Sequence, residues 1–141
     1  MTWRAWRSRS ISWPAFVVGM AIAWVWYADW GLFGTIWRKL TGISQEDSKR
    51  AGKRPFAVLL ASILLTALVL TAACSIVASW FGGDPLWLDL AVGFATWLGF
   101  SLTTLTQHNA FEQKPALLTV INSAYQLTLF SGMALAVGLL Q

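Results

Sequence analysis

The sequence predicts an all-α fold: an integral membrane four-helix bundle with a short interfacial amphipathic helix between its first two spans. Three observations lead there. Hydrophobic residues make up 57% of the 141-residue chain and charged residues only 11%, against about 25% charged in an ordinary soluble domain. Four apolar segments reach the roughly 20 residues needed to cross a hydrocarbon core of about 30 Å: Ile11 to Trp30, Phe56 to Phe81, Leu86 to Gln107 and Ala116 to Leu140. Tryptophans gather where these segments end, with Trp13, Trp80 and Trp87 at one level and Trp26, Trp30 and Trp37 at the other. Aromatic belts at both faces of a bilayer have this distribution. A soluble helical domain is the rival, but its buried helices keep a polar face, and Phe56 to Phe81 holds no charge at all. One domain covers the chain.

The first span opens with Pro14 in its first turn, where a missing N–H leaves nothing unpaired. The arginines Arg4, Arg7 and Arg9 ahead of it imitate a cleavable leader. The apolar run continues through Trp24, Val25, Trp26 and Tyr27, so a retained helix is expected. Asp29 closes the span, as a solvated or lysine-paired carboxylate. In the loop from Gly31 to Pro55, the residues Leu32, Phe33, Ile36, Trp37 and Leu40 share one helical face, with Arg38 and Lys39 turned away. That pattern describes a helix lying in the headgroup layer. Ser44 with Asp47 three residues on approximates a capping box. It opens a polar helix from about Gln45 to Ala51, which Gly52 is placed to end.

The second and third spans meet across the turn Gly82-Gly83-Asp84-Pro85. Asp89 then falls in a first helical turn, where an acid is favourable. Trp97, in mid-segment, is expected to pack between helices. Every span carries small residues at each fourth position: Ala15, Gly19 and Ala23; Ala67, Thr71, Ser75 and Ser79; Ala91, Ala95, Gly99 and Thr103; Ala124, Thr128, Gly132 and Ala136. Helices in lipid associate through close backbone approach, which such rows permit. Gly19, Ala23, Gly99 and Gly132 are the expected packing positions, within the chain or against a second subunit.

The net charge of +4 does not imply a nucleic-acid partner, because the basic residues lie just outside the apolar runs and meet anionic headgroups there. The loop side carries Arg38, Lys39, Lys49, Arg50, Lys53, Arg54 and Lys114. The positive-inside rule puts that side in the cytoplasm of a bacterial inner membrane and both termini outside; the three N-terminal arginines pull the other way. Cys74 is the single cysteine, so it can form no disulfide within the chain.

One polar cluster stands out, "LTQHNAFEQKP" from Leu105 to Pro115 with the start of the fourth span. Thr103, Thr104 and Gln107 share one face of the third helix, next to His108, while Thr119, Asn122 and Gln126 recur on the fourth. Gln107 and Thr103 are therefore expected level with Thr119 and Asn122. The expected polar patch comprises Thr103, Gln107, His108, Asn109, Glu112, Asn122 and Gln126. It reads as interhelical hydrogen bonds or as a cavity opening toward the loops. His108 and Glu112 stand at i, i+4, but a metal site needs three or four protein ligands. A lone imidazole suffices as axial ligand for a tetrapyrrole, though nothing else in the chain supports one, so no cofactor is expected. No P-loop, dinucleotide fingerprint, G-x-S-x-G or zinc spacing occurs in the sequence.

Trp26-Tyr27 followed by Phe33-Gly34 and Trp37, then Trp97-Leu98-Gly99-Phe100, Phe111-Glu112, and Ile121-Asn122 with Tyr125-Gln126, resemble the bacterial domain-of-unknown-function 1761 family. The resemblance runs from about Ser12 onward, and the extension Met1 to Ser10 is longer than usual there. It implies a small four-span membrane protein and carries no established chemistry. The expected function is therefore that of a non-catalytic accessory or packing subunit, with lipid and other membrane subunits or further copies of itself as partners. The alternative is a small oligomeric transporter or channel with a polar path between the third and fourth spans.

Overall fold

The computed structural model describes residues 13–140. The N-terminal arginines, Ile11, Ser12 and Gln141 lie outside them. The described residues are helical, with turns and no strand. In order they form α1 (Trp13–Tyr27), α2 (Gly34–Thr41), α3 (Gln45–Ala51), α4 (Arg54–Phe81), α5 (Leu86–Thr96), a π-helical turn (Trp97–Leu102), α6 (Thr103–Phe111) and α7 (Ala116–Leu139).

Three stretches are long and apolar enough to cross a membrane: Arg54–Phe81, Leu86–Phe111 and Ala116–Leu139. At 1.5 Å per residue the shortest, of 24 residues, is about 36 Å long. The first expected span is also an apolar helix, of which 15 residues, about 22 Å, are described as α1. It stops at Tyr27 because the chain folds back on it. The amides of Leu32 and Phe33 donate to the Val25 and Trp26 carbonyls at 3.0 Å each. A Cβ at Gly34 would overlap the Ala28 carbonyl oxygen, and one at Gly31 the Val25 oxygen. Only glycine admits this return.

The loop elements follow their local chemistry. Ser44 Oγ accepts from the Asp47 amide at 3.0 Å while Asp47 Oδ2 accepts from the Ser44 amide at 2.9 Å, a complete capping box that opens α3. Gly52 caps its end at a positive φ of 67°. Helix α2 and the residue before it turn their aromatic rings inward: Phe33 rests on Trp26, with ring centroids 4.8 Å apart, and Trp37 meets Tyr27 edge-on at 5.8 Å.

The long helices pack around α7. It touches α1, α4 and α5, and α4 also packs against α1 and α5. Leu118, Ile121, Tyr125, Leu129, Met133 and Val137 form its buried stripe, spaced by three and four as a helix requires. The outer faces stay apolar: Leu65, Val69, Trp80 and Phe100 are all well exposed, as suits a chain whose solvent is lipid.

Small residues set the closest approaches, and three of the four expected rows contribute. Ala15, Gly19 and Ala23 are all buried, and a Cβ at Gly19 would strike Met133 and Ile63. Ala67, Thr71 and Ser75 are buried, whereas Ser79 is exposed and Ala78 takes its place. Gly132 meets α1, where an added Cβ would lie 2.7 Å from Ile22. The third row behaves otherwise. Ala91, Ala95 and Gly99 are exposed, and nothing lies within 4 Å of a Cβ at Gly99. Helix α5 instead presents Asp89 and Gly93 to α7: a Cβ on Gly93 would stand 2.9 Å from Ala134 Cβ and 3.0 Å from the Phe130 oxygen. Two rows of spacing four run along this helix on different faces, and spacing alone does not choose between them.

Candidate polar pocket at the loop end

Tyr27, at the end of α1, reaches α7 and donates its hydroxyl to Asn122 Oδ1 at 2.7 Å. Its ring stands edge-on to Tyr125 at 4.8 Å. With Trp37, Leu105 and Gln126 these side chains line a pocket of about 320 Å³. Asn122 and Gln126 lie one turn apart, so α7 offers two amides to the same space, framed by three aromatic rings. The site can hydrogen-bond and stack, and it carries no charge.

The polar patch expected from sequence is only partly assembled here. Asn122 and Gln126 line the pocket. Asn109 is buried beside it and donates its amide to Thr119 Oγ1 at 3.0 Å, tying α6 to α7. Thr103, Gln107 and His108 are exposed. The Thr103 hydroxyl bonds the Gly99 carbonyl of its own helix at 2.8 Å, so it needs no partner across an interface.

The cause is the π-helical turn. On an unbroken α-helix, at 100° per residue, Gln107 would return to within about 40° of Gly93 and Asn109 would lie nearly opposite. The wider turn over Trp97–Leu102 sets the register back, bringing Leu105 and Asn109 inward and carrying Gln107 out. Trp97 anchors the turn, donating Nε1 to the Ser123 carbonyl at 2.9 Å. Trp97 thus packs between helices as expected. Turns of this kind often mark functional sites. Tyr27, Trp37 and Tyr125, which sequence reasoning did not assign to the site, complete it; aromatic character alone did not separate them from belt residues.

Glu112 follows the last turn of α6 and pairs with Lys114 at 2.5 Å. The Lys114 ammonium, through its hydrogen bond and then its charge, holds the Glu112 carboxyl below its ordinary range, with a smaller contribution from His108. Among the described residues no three of His, Cys, Asp and Glu converge as a metal site would require.

Asp29 and Arg38 form a second polar centre, in which Asp29 stays exposed as expected of a solvated carboxylate and its cationic partner is Arg38 rather than a lysine. Arg38 is half-buried, and its Nε meets Asp29 Oδ1 at 2.5 Å. Its Nη1 donates to the Ser44 carbonyl at 3.0 Å and to Ser48 Oγ at 2.9 Å. Gln45 adds a bond to Asp29 Oδ2 at 3.2 Å. One guanidinium thus ties the end of α1 to the start of α3. The hydrogen bond from Arg38 lowers the Asp29 carboxyl from its ordinary value, helped by the arginine charge and by Gln45. A carboxyl lowered in the folded state stabilises the clasp above the ordinary aspartate range, and the contribution is lost as pH falls through the folded value. In detergent micelles the Arg38 Nε–H resonance will therefore titrate with a midpoint below about 3.9, and Asp29→Asn will abolish that titration. A midpoint at or above the ordinary value would contradict the clasp.

No curated protein and no solved structure matches the chain significantly. A family model does: residues 14–138 match the family described as "Protein of unknown function (DUF1761)". That range takes in α1 through most of α7, and with it every residue of the pocket and of the Asp29–Arg38 clasp. The chain belongs to the DUF1761 family.

Proposed function

We propose that the protein crosses a bacterial inner membrane four times as a four-helix bundle and serves as a non-catalytic accessory subunit of a larger membrane assembly. In this reading α1, α4, the α5–α6 stretch and α7 are the spans. Helices α2 and α3 lie at the cytoplasmic surface with the basic loop, and the termini face outward.

The supporting observation is the exposed row on α5 and the turn that follows it. Among the described residues nothing covers Ala91, Ala95 and Gly99, and Phe94, Leu98 and Phe100 stand exposed around them. A row of small residues lets another helix approach in lipid, and the pattern that built the inner contacts is repeated here without an inner partner. Mass measurement of the protein extracted gently from native membrane is expected to show a stable complex with other chains. Gly99→Leu should release the protein from it while leaving the fold intact. A clean monomer from native membrane would refute the proposal.

The pocket supports a second reading, a small oligomeric transporter whose path runs past Asn122 and Gln126. In that case Asn122→Leu and Gln126→Leu abolish flux in reconstituted vesicles, whereas an accessory subunit keeps its complex and shows no flux to lose.

A further inference from the structure

A second cavity lies on the other side of Tyr27. It is a groove of about 700 Å³ between α1 and the first turns of α4, lined among others by Met20, Trp24, Asp29, Trp30, Phe56 and Leu59. Its volume falls within the range of roughly 300–1,000 Å³ typical of small-molecule sites. The walls are mostly apolar, and Trp24 and Trp30, edge-on at 5.2 Å, stand exposed at one side.

Charge divides unevenly around the groove. Its one acidic wall residue, Asp29, is already engaged by Arg38 and Gln45. Lys53 and Arg54 sit at the start of α4, three and two residues before Phe56, and both are exposed. They stand where the 28-residue helix α4 begins, and a helix start also favours negative charge. Lys53 precedes the wall residue Phe56 by three positions, the spacing of neighbours on one helix face, so the register of α4 sets basic residues just beyond the apolar wall.

We propose that this groove is a binding site for an anionic glycerophospholipid of the surrounding bilayer, with an acyl chain along Met20, Phe56 and Leu59 and the phosphate against Lys53 and Arg54. A zwitterionic lipid fills the trough equally well, but its ammonium finds no uncommitted carboxylate there. The proposal rests on membrane insertion of α1 and α4 and is independent of the subunit reading.

The test uses the full-length protein in nanodiscs made of equal phosphatidylglycerol and phosphatidylethanolamine. Native mass spectrometry after release into mild detergent should find phosphatidylglycerol retained in clear excess. Removing both cations, Lys53→Gln with Arg54→Gln, should weaken that retention about thirtyfold, at roughly tenfold for each 1.4 kcal/mol and about 1 kcal/mol per basic residue. Ala21 is an exposed wall residue, so Ala21→Trp should fill the trough and displace both lipids while circular dichroism stays unchanged. Equal retention of the two lipids, no retained lipid on an inserted and helical protein, or retention untouched by either variant would each overturn the site. Failure to enter the nanodisc at all would instead remove the membrane reading on which the site depends.

Discussion

Gly93→Leu is expected to pry α5 from α7 and to lower stability against unfolding in mixed micelles by about 3 kcal/mol. The reason is geometric. A Cβ at Gly93 would already stand 2.9 Å from Ala134 Cβ and 3.0 Å from the Phe130 carbonyl oxygen, and Ala134 is completely buried. One neighbour is backbone, which no change of rotamer moves aside, so the helices must separate. Separation opens the contact between Asp89 and Gly138, where a Cβ on the glycine would lie 2.9 Å from Asp89 Oδ2. Lipid tails are as apolar as the side chains lost from the interface, so the penalty comes from forfeited packing. Gly99→Leu is the control. It lies on the exposed row of the same continuous stretch and should change stability by less than about 0.5 kcal/mol. Equal losses in the two variants would mean that the α5–α7 approach is not the tight one.

Gly34→Val should detach α2 from the end of α1, an effect of about 2–3 kcal/mol on that local structure. The new Cβ would overlap the Ala28 carbonyl oxygen and lie 2.7 Å from the Tyr27 oxygen. Relief requires α2 to lift away. It takes with it the Phe33–Trp26 and Trp37–Tyr27 ring contacts and the Arg38–Asp29 pair. The pocket around Asn122 loses its Trp37 wall at the same time. The readout is trypsin cleavage after Arg38 and Lys39, which should accelerate at least tenfold in Gly34→Val while the long helices keep their circular dichroism. Unchanged cleavage would show that the return of the chain after α1 does not depend on glycine.

Much of the candidate site was legible residue by residue, and its assembly was not. Asn122 and Gln126 announced themselves as amides within an apolar run, where polar groups need partners. Gln107 and Thr103 looked the same by spacing, yet they face outward, because one π-helical turn between Trp97 and Leu102 rotates everything after it. That turn carries the indole that reaches the Ser123 carbonyl of another helix, a contact no local pattern encodes. Arg38 was read as a surface cation because its helix is amphipathic; a carboxylate brought alongside by the chain reversal turned it inward.

The sequence by itself determined the helical class, three of the long helices, the capping box at Ser44 and Asp47, the glycine stop at Gly52 and the family. These depend on composition, on hydropathy over some 20 residues and on contacts three or four residues apart, all of which are local. Tertiary structure decided which of two small-residue rows on α5 faces inward, that α7 lies at the centre, and that Tyr27, Trp37 and Tyr125 close a pocket with Asn122. Those outcomes depend on steric fit between helices distant in sequence, where a single carbon at Gly93 or one wider turn at Trp97 changes the face that meets the neighbour.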